Sequence, residues 1–135
     1  MSLRYMLDTN ICIYIIKHHP VGVRQRFENL QAHQLVLSMV TFAELRYGAE
    51  KSQAKEKALH SIEQLTKTIE IADLDERVGE HYAHIRAQLD RIGKPIGNND
   101  LWLAAHARAN DWVLVTNNTR EFERVEGLRV ENWVE

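Results

Sequence analysis

The chain has 135 residues, 44% of them apolar and 27% charged, with 6 Gly, 2 Pro and a single Cys. That length suits one domain of ordinary size, and a core of that scale needs neither disulfides nor a structural metal. The composition excludes disorder and collagen-like or linker sequence. No apolar run is long enough to span a bilayer, and the acid at Asp8 breaks the layout of a signal peptide. One cysteine cannot close an internal disulfide, which fits a reducing, cytoplasmic setting. The net charge of −2 does not advertise a nucleic-acid partner. The charge is unevenly spread: residues 1–58 carry 8 basic and 5 acidic side chains, residues 59–135 carry 9 and 14. An acidic second half is compatible with a solvated surface or with carboxylates gathered around a divalent cation.

In chain order, Tyr5-Met6-Leu7 reads as a strand that stops at the polar turn Asp8-Thr9-Asn10. A short apolar helix follows over 11–16, and Pro20 opens a second one to about Leu30. Leu35 to Ser38 has the character of a buried strand. Thr41 opens a helix that Gly48 closes, with Glu44 in its first turn in a capping-box spacing. Residues 53–67 form an amphipathic helix with Ala58, Ile62 and Leu65 on one stripe. Ile69 and Ile71 mark a short strand. A long helix over 76–92 ends at Gly93, with Pro95 beyond. Asn98 or Asn99 caps a helix from Asp100 to about Ala109. Trp112 to Val115 is a β-branched strand ending at Thr116-Asn117-Asn118, and residues 128–130 form a last strand. No repeat or linker divides the chain, so 1–135 reads as a single domain.

Strands alternating with helices predict an α/β fold: a three-layer α/β/α sandwich with a mostly parallel central sheet. In such sheets the working site lies beyond the carboxyl ends of the strands. That rule draws attention to Asp8, Glu44 and Asp100, and to Thr116, Asn117 and Asn118. Oxygen donors converging at one sheet edge make a hard site, suited to Mg²⁺ or Mn²⁺. Each residue also has a purely structural reading. Asp8 can cap the following helix, Glu44 can complete a capping box, and Asp100 suits a helix N-terminus. The asparagines are common turn residues. Independent capping accidents, however, need not gather at one edge of one sheet.

Four blocks carry a family resemblance. They are Met6-Leu7-Asp8-Thr9-Asn10, Ser38-x-x-Thr41-x-x-Glu44-Leu45-x-x-Gly48, Gly97-x-x-Asp100-x-x-x-Ala104-x-x-Ala107 and Val115-Thr116-Asn117-Asn118-x-x-Glu121-Phe122. Together they resemble the PIN domain, and within it the VapC ribonuclease toxins of type II toxin–antitoxin modules. The resemblance runs from about residue 5 to 133. It implies an Mg²⁺- or Mn²⁺-dependent endoribonuclease that cuts tRNA or rRNA and is neutralised by a VapB antitoxin. Asp8, Glu44 and Asp100 fall on the family's first three acidic positions. The fourth block departs, with Asn118 and Glu121 where many members carry aspartates, which bears on a second metal. Its form resembles the subgroup that cleaves initiator tRNA in the anticodon stem-loop.

On this reading Asp8 and Asp100 ligate metal directly, and Glu44 acts through water or orients the attacking water. Thr9, Asn10 and Thr116 hold the carboxylates, with Asn118 and Glu121 in support. A homodimer and a toxin–antitoxin hetero-oligomer are expected. The antitoxin would cover apolar helix surface at Ile11, Ile13, Ile15 and the segment 21–30. Other functions fit less well. An Asp-nucleophile phosphatase wants a second acid at position 10, which is Asn. A silent PIN module binding only RNA or protein has no use for clustered carboxylates. Zinc at His81 and His84, a nucleophilic Cys12, and an RNA track along Arg46, Lys51, Lys55 and Lys57 are each weaker than their structural alternatives.

Overall fold

The computed structural model describes residues 3–134. Its strands are β1 (Tyr5–Leu7), β2 (Leu35–Ser38), β3 (Glu70–Ala72), β4 (Val113–Val115) and β5 (Arg129–Glu131). They form one all-parallel sheet in the order β3-β2-β1-β4-β5. The helices are α1 (Thr9–Lys17), α2 (Val21–Glu28), α3 (Met39–Glu50), α4 (Lys55–Thr66), α5 (Glu76–Arg91), α6 (Asn98–Ala109) and α7 (Thr119–Phe122). The expected α/β sandwich is therefore present, with its sheet wholly rather than mostly parallel. Among the described residues no helix is long and apolar enough to cross a membrane.

Alternation along the strands sorts the core into two layers. Met6, Val36 and Leu114 point to one face and pack with Ile85 and Leu89 of α5, Ala104 of α6 and Phe122. Leu7, Leu37 and Val115 point to the other and pack with Ile11 and Ile15 of α1, Leu45 of α3 and Ile62 of α4. Strands covered on both faces read as continuous apolar runs, as Leu35-Val36-Leu37 does.

The main departures from expectation are at helix starts. The helix after β2 begins at Met39 rather than Thr41, because the Ser38 side chain caps it by accepting from the Val40 N–H at 3.1 Å. Thr41 is therefore inside the helix, and Glu44 lies in its second turn with no capping box. Gly48 does not end α3, which runs on to Glu50. The cap of α6 is Gly97 rather than an asparagine. Helix α1 starts at Thr9, two residues earlier than the apolar pattern marks, since Asp8 is its cap. The single turn α7 after β4 has no apolar periodicity to reveal it. Trp112 lies just before β4, and the last strand sits one residue later than expected.

The strand order creates one topological switch. From β1 the chain moves outward through β2 and β3, then returns by α5 and α6 to lay β4 on the other side of β1. Connections leaving β1 and β4 diverge, so a cleft opens beyond their carboxyl ends. Asp8 follows β1 directly and Thr116 follows β4 directly.

Candidate active site

Asp8 is 7% exposed at the floor of this cleft, with its N–H donated to the Val115 carbonyl at 3.0 Å. Its carboxylate caps α1, accepting from the Ile11 N–H at 2.9 Å. Burial pushes its pKa up, and the charge of Glu44 adds to that. Hydrogen bonds from the Thr116 hydroxyl and from the backbone N–H groups of Ile11 and Asn10 pull it back down. Capping and cleft-facing roles thus coexist in one side chain. Thr116 is fully buried, and its hydroxyl also accepts from the Asn118 N–H at 3.0 Å.

Glu44 reaches the cleft from α3. Its Oε1 accepts from the Thr9 hydroxyl at 2.7 Å and its Oε2 from the Asn99 amide at 3.3 Å. Asp100, in the first turn of α6, is half-buried and has its pKa raised to about 6. Burial is the main cause. A hydrogen bond shared with Glu121 comes next, followed by the charges of Glu121, Glu44 and Asp8. Four carboxylates, from the β1–α1 junction, α3, α6 and α7, therefore border one cleft, and the charges of the other three raise Asp100. Glu121 is steadied by the Asn118 amide, which donates to its Oε2 at 3.0 Å.

Several expected supports land differently. Asn10 contributes its backbone N–H to Asp8, while its side chain is exposed. Asn117 turns away and donates to the Tyr14 hydroxyl at 3.1 Å. Asn118 holds Glu121, consistent with an amide that adds no charge. Asn99 was legible only as a possible helix cap, yet it bridges to Glu44 across 55 residues. No local pattern could have found it.

The competing motifs resolve structurally. The Nδ1 atoms of both His81 and His84 accept from Arg108, at 2.9 and 3.0 Å, so these rings are engaged by a guanidinium. Cys12 is fully buried, and burial drives its thiol far above the ordinary range, as suits a core residue. Ile11 and Ile15 are buried within the chain rather than left for a partner, and among the isoleucines of α1 Ile13 and Ile16 keep partial exposure. Lys55 pairs with Glu50 at 2.9 Å.

The PIN domain family matches residues 5–128. The chain belongs to this family. Relatives that it matches over nearly their full length are named VapC. The tRNA(fMet)-specific endonuclease VapC of Shigella flexneri is 51% identical over 131 residues, covering 97% of this chain and 98% of that protein. Ribonuclease VapC2 of Haemophilus influenzae is 48% identical over 132 residues, covering 98% and 99%. Among solved structures, a chain of the DNA-bound VapBC complex from Salmonella typhimurium aligns with a TM-score of 0.92. It is 45% identical, and the alignment covers 98% of this chain and all of that one. The VapBC2 complex from Rickettsia felis, bound to a promoter DNA fragment, gives a TM-score of 0.91 at 40% identity. In the PIN frame, Asp8, Glu44 and Asp100 stand at the switch-point cleft with Glu121 beside them.

Whether this cleft suits a metal follows from its donors. They are all oxygen and mostly anionic, and their charges add to the burial that lifts Asp100, so a hard divalent cation would relieve them. Among the described residues, no three His, Cys, Asp or Glu side chains are drawn together tightly enough to grip an ion. The donor chemistry fits, with the carboxylates standing apart around the cleft.

Proposed function

We propose that this protein is a VapC-like endoribonuclease toxin, dependent on Mg²⁺ or Mn²⁺, that cleaves a structured RNA and so inhibits translation. The observation that carries the proposal is that Asp8, Glu44, Asp100 and Glu121 border one switch-point cleft, where burial and the neighbouring charges raise the Asp100 pKa to about 6. A fold needing only stability would not keep four mutually repelling carboxylates there. The full-length similarity to proteins named ribonuclease or endonuclease VapC supports the same chemistry.

Asp8 and Asp100 are the side chains we assign to hold the cation. Bound there, it supplies Lewis acidity, lowering the pKa of water and neutralising charge that builds on the scissile phosphate. Glu44 orients the attacking water, its rotamer held by the Thr9 hydroxyl. Thr116 keeps the Asp8 carboxylate aimed into the cleft, and Glu121 completes the acidic wall. As substrate we infer tRNA, in particular the anticodon stem-loop of initiator tRNA. The inference follows the Thr116-Asn117-Asn118-x-x-Glu121-Phe122 block and the relative named as tRNA(fMet)-specific.

The protein partner we infer is a VapB-like antitoxin, in keeping with the VapBC complexes among its structural relatives. A groove of about 590 Å³ between α1, α3 and α4 offers it a seat. Ile13, Ile16 and Leu45 line the apolar part, with Lys17 and Lys57 on its rim, and the groove opens at Glu44. We expect a homodimer within the hetero-oligomer.

The deciding experiment incubates purified protein with a tRNA pool, in Mg²⁺ or in EDTA, and maps the new ends. Cutting at one site, abolished by chelation and by Asp8→Asn or Asp100→Asn, is expected. Equal cutting in EDTA, or by those variants, would overturn the assignment.

A further inference from the structure

Helices α3 and α6 bring Glu44 and Asp100 to the cleft, and they pack on one another directly. Among the described residues, two side-chain hydrogen bonds join α6 to α3 and its cap. At the cleft, the Asn99 amide donates to Glu44 at 3.3 Å, in an exposed position. At the other end, Ser38 and His106 pair at 2.8 Å between Ser Oγ and His Nδ1, with Ser38 fully buried and His106 1% exposed. The two contacts lie 6 residues apart along α3 and 7 apart, in the reverse direction, along α6. They are therefore rungs between antiparallel segments, about 9–10 Å apart along each axis.

The outer rung is long and wet, so it holds little. The inner one is short and dry, and breaking it strands a buried polar group. The Ser38 oxygen also accepts from the Val40 N–H, and its one proton is free to go to the imidazole Nδ1. Burial pushes the His106 pKa down, keeping the ring neutral and able to accept. Trp112 lies against it, with ring centroids 5.5 Å apart and planes tilted by 45°, and limits its rotation. Ser38 is also the cap from which α3 starts, so the rung pins α6 at the root of the helix that carries Glu44.

We infer that His106 is a positioning residue: its hydrogen bond to Ser38 sets the spacing of the Glu44 and Asp100 carboxylates and thereby the site's hold on a divalent cation. His106 touches neither substrate nor ion. Six residues separate it from Asp100, and six separate Ser38 from Glu44, so a slip at the rung travels along both rigid helices to the cleft. This inference rests on the nuclease reading of the site.

The test compares His106→Leu, which keeps the bulk and loses the bond, with His106→Asn, whose amide oxygen can take the place of Nδ1. Both are assayed where circular dichroism shows them folded. Two quantities are read: RNA cleavage at saturating substrate, and the Mn²⁺ concentration that gives half the thermal shift. His106→Leu should lower kcat about tenfold or more with KM little changed, and should need several-fold more Mn²⁺. His106→Asn should recover most of both. A folded His106→Leu with parental kcat and Mn²⁺ midpoint, or an Asn variant as impaired as Leu, overturns the positioning role. If His106→Leu does not fold, Ser38→Ala carries the same test, and parental values there overturn it equally. Asp100→Asn is run beside them. Should it still cleave, the nuclease reading itself fails; should it be dead while His106→Leu is parental, only the positioning role falls.

Discussion

Replacing Asp100 by asparagine should raise the stability of the metal-free protein while destroying its activity. In the folded protein Asp100 has a pKa of about 6 against an ordinary 3.8. At about 1.4 kcal/mol per pKa unit, full transfer of that difference would approach 3 kcal/mol. Asp100 is only half-buried, so solvent screening reduces this to about 1 kcal/mol. The sign follows from linkage. A carboxyl whose folded pKa is raised binds its proton more tightly when folded, so its destabilising effect is absent below about pH 4 and complete above about pH 6. Asparagine is neutral throughout, and its amide can still donate to Glu121. The variant should therefore melt with the parent near pH 4 and about 3–5 °C above it at pH 7.5, the gap opening between those values. Differential scanning fluorimetry of the two proteins in EDTA measures this directly. Added Mn²⁺ should then lift the parent more than the variant, because the variant has lost a ligand. A variant that melts below the parent at pH 7.5, or a gap that ignores pH, would refute the electrostatic account of the cluster.

Other substitutions separate the roles combined in single residues. Asp8→Asn should keep the cap of α1, since asparagine caps about as well, and match or exceed the parent in metal-free melting while losing RNA cleavage. Asp8→Ala should instead lose about 1 kcal/mol as well as activity, which urea titration would detect. Thr9→Val removes the 2.7 Å hydroxyl contact to Glu44, and should slow cleavage while leaving the melting temperature nearly unchanged. Native Cys12 should resist thiol reagents until the protein unfolds, because the thiol is both buried and hard to ionise. Zinc should produce the same thermal response in His81→Ala and His84→Ala as in the parent, because among the described residues no third ligand joins the two rings.

The sequence by itself determined the parts of this protein that depend on near neighbours. The apolar runs at residues 5–7, 35–37 and 113–115 are strands because a sheet buried on both faces requires unbroken apolar character. Asp8 was legible because a polar residue ending such a run is both a helix cap and a strand-end group. The sheet-edge rule drew attention to Glu44 and Asp100, and the four-block resemblance put them on the family's acidic positions. Only the tertiary structure decided which residues serve them. Ser38, rather than Thr41, starts α3, because the strand's own exit angle puts its hydroxyl over the Val40 N–H. Asn99 meets Glu44, Glu121 shares a hydrogen bond with Asp100, and His106 meets Ser38 across 68 residues. Arg108 likewise claims two histidines from another helix. These partnerships depend on how α3, α6 and α7 pack on the sheet: α6 and α7 on the layer of Met6, Leu114 and Phe122, and α3 through Leu45 on the layer of Leu7 and Leu37. A core contact is chosen by volume and apolarity, which many sequences satisfy, so the polar pairs it brings together leave no periodic trace along the chain.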